Sequence, residues 1–287
     1  MEKFRNNLPA SFLVFLAAAA AFVWYAVVYA EAGRDFAVTF FDVGQGDAIF
    51  IETENRQQIL IDGGPNDRVL AKLGRLMPFW DRSLDLVILT HPHADHLDGL
   101  VEALKRYDVK MVLETGVRHS IPEYGEWREF LEKKKVNVVI AKAGQRVRFS
   151  ETAHLDILAP FENFAGESPK NIHDAMIVAK LTNGALTVLL MGDAEKPIEH
   201  KLLLSDADID SDILKVGHHG SKTSTSQEFL DAVSPSLAVI SAGRKNRYGH
   251  PYQDVLARLA GAGIRVRRTD RDGDVRLLSD GLKYGIE

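Results

Sequence analysis

The run Leu84-Asp85-Leu86-Val87-Ile88-Leu89-Thr90, followed at once by His91-Pro92-His93-Ala94-Asp95-His96, governs the rest of the chain. Leu84 to Leu89 is almost continuously apolar, the pattern of a strand buried on both faces. A helical pattern takes over from about Leu97 to Arg106. Four side chains able to bind a metal therefore fall within six residues at the carboxyl end of a strand, where they can converge on a small volume. Imidazole together with carboxylate suits zinc, manganese or iron. The chain has no cysteine, which removes thiolate ligands and disulfides, so any metal must rest on His, Asp or Glu.

Three more segments repeat the arrangement. Leu60-Ile61-Asp62-Gly63-Gly64, Leu190-Met191-Gly192-Asp193 and Val216-Gly217-His218-His219-Gly220-Ser221 each deliver a His or Asp where an apolar strand ends. Taken singly, an Asp beside Gly is turn chemistry; taken together, the four segments are expected to face one rim of the sheets. Phe36 to Val43, Asp47 to Glu52 and Gln57 to Ile61 read as an opening meander of strands, and further strand candidates alternate with helices as far as Asp274 to Leu278. So many strands with interspersed helices predict two packed sheets with helices on their outer faces. The chain has 287 residues, 46% of them hydrophobic, enough for one large core. No Pro/Ser-rich linker divides residues 36–287, which are expected to form one domain.

The N-terminus differs from the rest. No charged residue occurs from Ala10 to Ala30, and as a helix this run spans roughly 31 Å, about the hydrocarbon thickness of a bilayer. Lys3 and Arg5 precede it, which predicts a cytoplasmic tail over 1–9, a transmembrane anchor over 10–30, a linker over 31–35 and an exported domain beyond. Val28-Tyr29-Ala30 also offers small residues at the spacing of a signal-peptide cleavage site. Both alternatives place the domain outside the cytoplasm.

The HxHxDH run with Asp62, Asp193 and His218-His219 resembles the metallo-β-lactamase superfamily. More narrowly, Phe41-Asp42-Val43-Gly44-Gln45-Gly46-Asp47-Ala48, the run from Thr90 to Gly99, Lys215 to Ser221, Tyr248-Gly249-His250-Pro251 and Thr269-Asp270 with Gly273 resemble the exported hydrolase domain of ComEC-type competence proteins. The resemblance implies an αββα sandwich with one or two divalent ions, zinc or manganese, at the sheet rim. It implies that His91 and His93 hold one ion, Asp95 and His96 the other, and that Asp193 bridges them. Either His218 or His219 completes the second site. His173, in Asn171-Ile172-His173-Asp174-Ala175-Met176, is either a ligand to the first ion or a turn residue. In the same segment ComEC-type domains have a Ser before the next strand, which this chain lacks. Asp62 is either a carboxylate that orients a ligand histidine or a strand-end turn residue. His250, placed to meet developing negative charge, joins Asp95 and Asp62 among the catalytic candidates.

Such a centre makes hydroxide available near neutral pH and polarises a phosphoryl or carbonyl oxygen. The substrate is less tightly constrained. A formal net charge of −5 is not that of an indiscriminate nucleic-acid binder, so a polyanion requires a local patch. Candidates are Lys215, Ser221 and Lys222 beside the paired histidines, Arg244, Lys245, Arg247 and Tyr248 ahead of His250, and Arg265, Arg267 and Arg268 on a late strand. They favour DNA, single-stranded by preference, with the membrane and a separate channel protein as partners. A cell-surface phosphodiesterase or esterase acting on choline-bearing polymers is the second expectation, and a tethered binding module without catalysis the third.

Overall fold

In the computed structural model, which describes residues 8–31 and 35–287, with side chains over 10–25 in the first stretch, the apolar runs become strands and the amphipathic runs between them helices. The first half holds α1 (Leu8–Glu31), β1 (Phe36–Phe40), β2 (Ile49–Glu52), β3 (Gln58–Ile61), α2 (Arg68–Leu76), β4 (Ser83–Leu84), β5 (Leu86–Leu89), α3 (Ala94–Arg106), β6 (Asp108–Val109), β7 (Met111–Glu114), α4 (Pro122–Lys134) and β8 (Asn137–Ile140). The second half holds β9 (Arg146–Arg148), β10 (Ala153–Ala159), β11 (Val178–Asn183), β12 (Leu186–Leu190), α5 (Lys196–Leu204), β13 (Ile213–Lys215), α6 (Gln227–Val233), β14 (Leu237–Ile240), α7 (Gln253–Gly261), β15 (Arg265–Arg268), α8 (Thr269–Asp272), β16 (Val275–Ser279) and β17 (Tyr284–Ile286).

Two sheets result, ordered β17-β16-β1-β2-β3-β5-β7-β8 and β15-β14-β13-β12-β11-β10-β9. Within each, an antiparallel portion joins a parallel one: β3, β5, β7 and β8 run parallel in the first sheet, and β12 to β15 in the second. The parallel steps require crossovers, and the helices α2 to α7 supply them. Alternation along the strands then sorts the side chains. Ile59 and Ile61 face the other sheet and meet a cluster containing Leu155, Leu181, Val188 and Val239, whereas Leu60 faces outward onto Leu73 of α2 and Leu97 of α3. The outer face of the second sheet packs Leu189, Leu214 and Ala238 against Ile198, Phe229 and Leu259. Three apolar clusters between four layers make the αββα sandwich, each fully buried Leu or Ile contributing about 1.5–3 kcal/mol.

The chain divides into two units, 1–34 and 35–287. Among the described residues no helix is long and apolar enough to cross a membrane. The tail, span and linker expected over 1–9, 10–30 and 31–35 lie partly outside those residues.

Two boundaries depart from expectation. The run Leu84 to Leu89 is broken at Asp85, whose carboxylate accepts from Gln58 N at 2.8 Å and Lys110 Nζ at 2.7 Å. Leu84 consequently pairs with β6 in a separate two-stranded ladder. Helix α3 begins at Ala94 rather than Leu97, with His96 N and Leu97 N both donating to His93 O. Its first turn carries side chains that serve the rim, so apolar periodicity starts one turn after the helix does.

Candidate metal centre

The parallel strands β3, β5, β12 and β13 all end at one rim, the place where open α/β sheets gather ligands. Asp62 follows β3, His91 to His96 follow β5, Asp193 follows β12, and His218 and His219 follow β13. A close approach of backbones sets the first half of the rim. A Cβ on Gly99 would lie 1.9 Å from Gly63 O, and Gly63 N donates to His96 O at 2.7 Å. Helix α3 can therefore dock on the turn that carries Asp62. Asp62 combines the two roles expected for it as alternatives: its backbone is left-handed (φ 56), and its Oδ2 accepts from His96 Nδ1 at 2.7 Å and from Thr90 Oγ1 at 2.7 Å.

Hydrogen bonds at Nδ1 determine which nitrogen each histidine presents. His91 Nδ1 lies 3.2 Å from Thr90 Oγ1, His96 Nδ1 donates to Asp62, His218 Nδ1 donates to Glu195 Oε1 at 3.1 Å, and His219 Nδ1 donates to Ser241 O at 2.9 Å. Their Nε2 atoms are left to converge on Asp193. Those of His91, His96 and His218 stand 3.9, 3.2 and 3.9 Å from Asp193 Oδ2, and that of His219 stands 3.3 Å from Oδ1. His93 presents Nδ1 instead, 2.9 Å from His91 Nε2.

Four overlapping donor groups follow among the described residues, and two of them together hold all four ligands of the run His91 to His96. His91, His93 and His173 form one, and Asp95, His96, Asp193 and His219 form the other, the atoms of each lying within 4.8 Å of one another. His173 thus stands with the first pair of histidines, and His219 rather than His218 completes the second group. His218 joins His173 and Glu195 instead.

The donor set fits divalent cations. His96 Nε2, His219 Nε2 and Asp193 Oδ1 are buried without a hydrogen-bond partner, an arrangement that is costly unless a further group satisfies them. Charge points the same way. Burial would raise the Asp193 carboxyl, but His219 and His96 outweigh it and hold it well below the usual range, while burial would lower those two rings and Asp193 holds both well above theirs, so positive charge is favoured beside this carboxylate. Burial pushes His91 well below its ordinary value, helped by His96. Burial brings His93 down to about 4, with His173 adding to the shift, so both rings are neutral donors at pH 7.

Behind the donors lies a buried ion pair. Lys215 and Asp47 are both fully buried, with Lys215 Nζ donating to Asp47 Oδ2 at 2.5 Å and to Val216 O at 3.1 Å. Burial would raise Asp47, but Lys215 and His219 bring it down to about 2. Asp47 Oδ1 in turn stands 3.4 Å from His219 Nδ1. Lys215 is therefore corrected from a phosphate contact to a support beneath His219, because its ammonium has no path to solvent. Asp193 is held from the other side, its N–H donating to Met176 Sδ at 2.7 Å.

The remaining candidates divide. His250 lies 5.6 Å from His218 and 5.7 Å from Tyr248, ring to ring. Its burial, with His219 and His218, brings it down to about 4. Arg247 donates to Tyr248 Oη at 2.8 Å, and Lys222 sits over Tyr252 at 5.9 Å. Lys245 is exposed. Ser221 is corrected to a turn residue, since it is buried and its Oγ lies 2.8 Å from Thr223 Oγ1. Arg244 is tied to Asp270 O at 3.2 Å, and Arg267 and Arg268 to Asp272 and Asp270. Arg265 is exposed on the edge strand β15. Sequence reasoning missed Glu195, although it lies two residues beyond Asp193, and His119, whose ring lies 5.8 Å from that of His93.

The comparisons agree with this geometry. The profile of the metallo-β-lactamase superfamily matches residues 41–244. ComE operon protein 3 of Bacillus subtilis is 32% identical over 256 residues, covering 83% of this chain and 32% of that protein. Competence protein ComA of Neisseria gonorrhoeae is 32% identical over 260 residues, covering 88% of this chain and 33% of that protein. The chain therefore spans about a third of the length of these two relatives. The metallo-β-lactamase fold protein YhfI of Bacillus subtilis has the same fold, with a TM-score of 0.54 at 14% identity over 85% of this chain and all of that one. With the αββα sandwich, the two donor groups sharing one rim and the matched profile in agreement, the chain belongs to the metallo-β-lactamase superfamily.

Proposed function

We propose that the chain is a metal-dependent phosphodiesterase that cuts single-stranded DNA outside the cytoplasm, in the service of DNA uptake. The observation that carries this reading is the convergence of two donor groups on Asp193, beside an arm bearing Arg247, Tyr248 and His250. The competence names of the two relatives support the choice of DNA. When bound, one or two divalent ions, zinc or manganese, supply a Lewis acid for the phosphoryl oxygen and hydroxide near neutral pH. His91, His93 and His173 would hold one ion and Asp95, His96 and His219 the other, with Asp193 between them. Arg247 and Lys222 attract the strand, the Tyr248 ring offers a face to a base, and His250 is the proposed hydrogen-bond partner of the leaving oxygen.

The membrane anchor belongs to the same proposal. Support comes from the uncharged run Ala10 to Ala30 and from exposed large side chains in α1, among them Phe12, Phe15, Phe22 and Trp24 at 61–72%. Such a surface needs an apolar cover. In this cysteine-free chain, Arg34→Cys should react with an impermeant thiol reagent in intact cells and Phe4→Cys should not; the reverse would overturn the orientation.

The enzymatic test is direct. The full chain supplied with manganese or zinc should cut single-stranded DNA, and cutting should weaken steeply with salt. Hydrolysis of choline-type phosphodiesters with DNA left intact would favour the cell-surface esterase. Hydrolysis of nothing across a range of metals would favour the binding module.

A further inference from the structure

A row of ring contacts crosses the centre. His119 lies 5.8 Å from His93, His93 5.1 Å from His173, His173 4.6 Å from His218, His218 5.6 Å from His250, and His250 5.7 Å from Tyr248. Tyr248 and Arg247 stand at one end. At the other a cleft of about 480 Å³ opens beside His93 and His173, with Arg118, His119, Ser168 and Lys170 in its walls.

The walls are fixed by backbone. Arg118 N donates to Glu167 O at 2.7 Å, Gly166 N donates to Gly116 O at 2.9 Å, and Ser168 Oγ donates to Arg118 O at 3.4 Å. Arg118 and Lys170 are exposed, and among the described residues neither enters an ion pair, with Glu167 or any other acid. Several cations elsewhere are neutralised at short range, such as Lys72 by Asp274 at 2.6 Å and Lys180 by Asp208 at 2.7 Å. Two unneutralised cations in a rigid cleft attract an anion. Beyond its histidines the lining holds no aromatic ring, so it suits a backbone phosphate better than a base.

We propose that this cleft is a second phosphate subsite, in which Arg118 and Lys170 hold an internucleotide phosphate of the strand whose scissile phosphate lies at the metal centre. This rests on the DNA reading and extends it. The strand follows the ring row, with its other flank along Arg247 and Tyr248. A substrate that fills both flanks must continue on both sides of the cut, so the chain cleaves internally and favours a polymer over a small diester.

The test compares the full chain with Arg118→Gln/Lys170→Gln, both positions being exposed and replaceable without unfolding. Binding of a fluorescent single-stranded 20-mer is read by anisotropy across a salt series, with metal omitted, and cleavage is read separately with metal present. The double variant should bind about tenfold more weakly, and its salt slope should fall by roughly 1.4, the value for two lost contacts on a single strand. Products should be internal fragments. Unchanged affinity and slope, in a chain that still binds and cuts DNA, would overturn the subsite and leave the nuclease reading standing. A wild-type chain that hydrolyses a small diester but neither binds nor cuts the 20-mer would overturn both.

Discussion

The two sheets furnish the same centre by different means. On the rim of the first sheet, Asp62 and the run His91 to His96 come from two adjacent loops, aligned by one helix start and one glycine contact. On the rim of the second, His173, Asp193 and His219 come from three separate loops. Two consecutive residues there, His218 (φ 48) and His219 (φ 54), hold left-handed backbone, a state that costs on the order of 1–3 kcal/mol per non-glycine residue. Tertiary bonds offset it: His218 N donates to Gly192 O at 3.1 Å, Ser224 Oγ donates to Gly217 O at 2.7 Å, and Lys215 with Asp47 lies beneath. The first rim is a local motif, and the second is assembled by the whole fold. Loss of tertiary support should therefore disturb the second rim first.

The largest expected effect comes from Lys215→Met. It leaves Asp47 as a buried carboxylate without its cation, which should lower stability by about 3–5 kcal/mol, read by urea unfolding of the metal-free chain. A variant as stable as wild type would show that the ion pair does not hold the second rim. Gly99→Ala probes the first. In an ordinary helix interior this change stabilises by roughly 0.8–1 kcal/mol. Here the new Cβ would meet Gly63 O at 1.9 Å, so the sign should reverse to a loss of about 1–3 kcal/mol. A raised melting temperature would break the argument that this contact docks α3. The smallest effect is expected at Glu195, which accepts from His218 Nδ1 and Thr223 Oγ1 and stands 3.8 Å from His173 Nδ1. Glu195→Gln should weaken metal affinity by at most a few-fold, because its hydrogen bonds go to His218 and Thr223 rather than to a ring of either donor group, with little change in stability, measured by calorimetric titration. Unchanged affinity would leave Glu195 as an ordinary polar contact.

Legibility in the sequence follows the same division. His91, His93, Asp95 and His96 lie on one short run, so strand-end logic and family resemblance were enough to group them. The layered fold was legible because the apolar runs alternate with amphipathic helices over the whole domain. The choice between His218 and His219 was not, because two successive left-handed residues bring both rings toward Asp193, at 3.9 and 3.3 Å, and only the approach of His219 to Asp95 at 3.4 Å separates them. His173 stayed open for a similar reason: its 3-10 turn, Ile172–Ala175, has no apolar period to mark its direction. Lys215 read as a surface cation since one-dimensional patterning cannot tell a buried charge with a partner 168 residues away from an exposed one. Arg267 and Arg268 differ from Lys215, since the acids that they meet, Asp272 and Asp270, lie only a few residues further on.

The central claim is that two donor groups share Asp193, and the metal content of the purified full chain tests it most directly. Elemental analysis of the wild type should find about two equivalents. His173→Ala should lose about one of them, and His218→Ala should lose none. Asp193→Ala should lose metal from both groups at once. Wild-type metal content in Asp193→Ala would contradict the account.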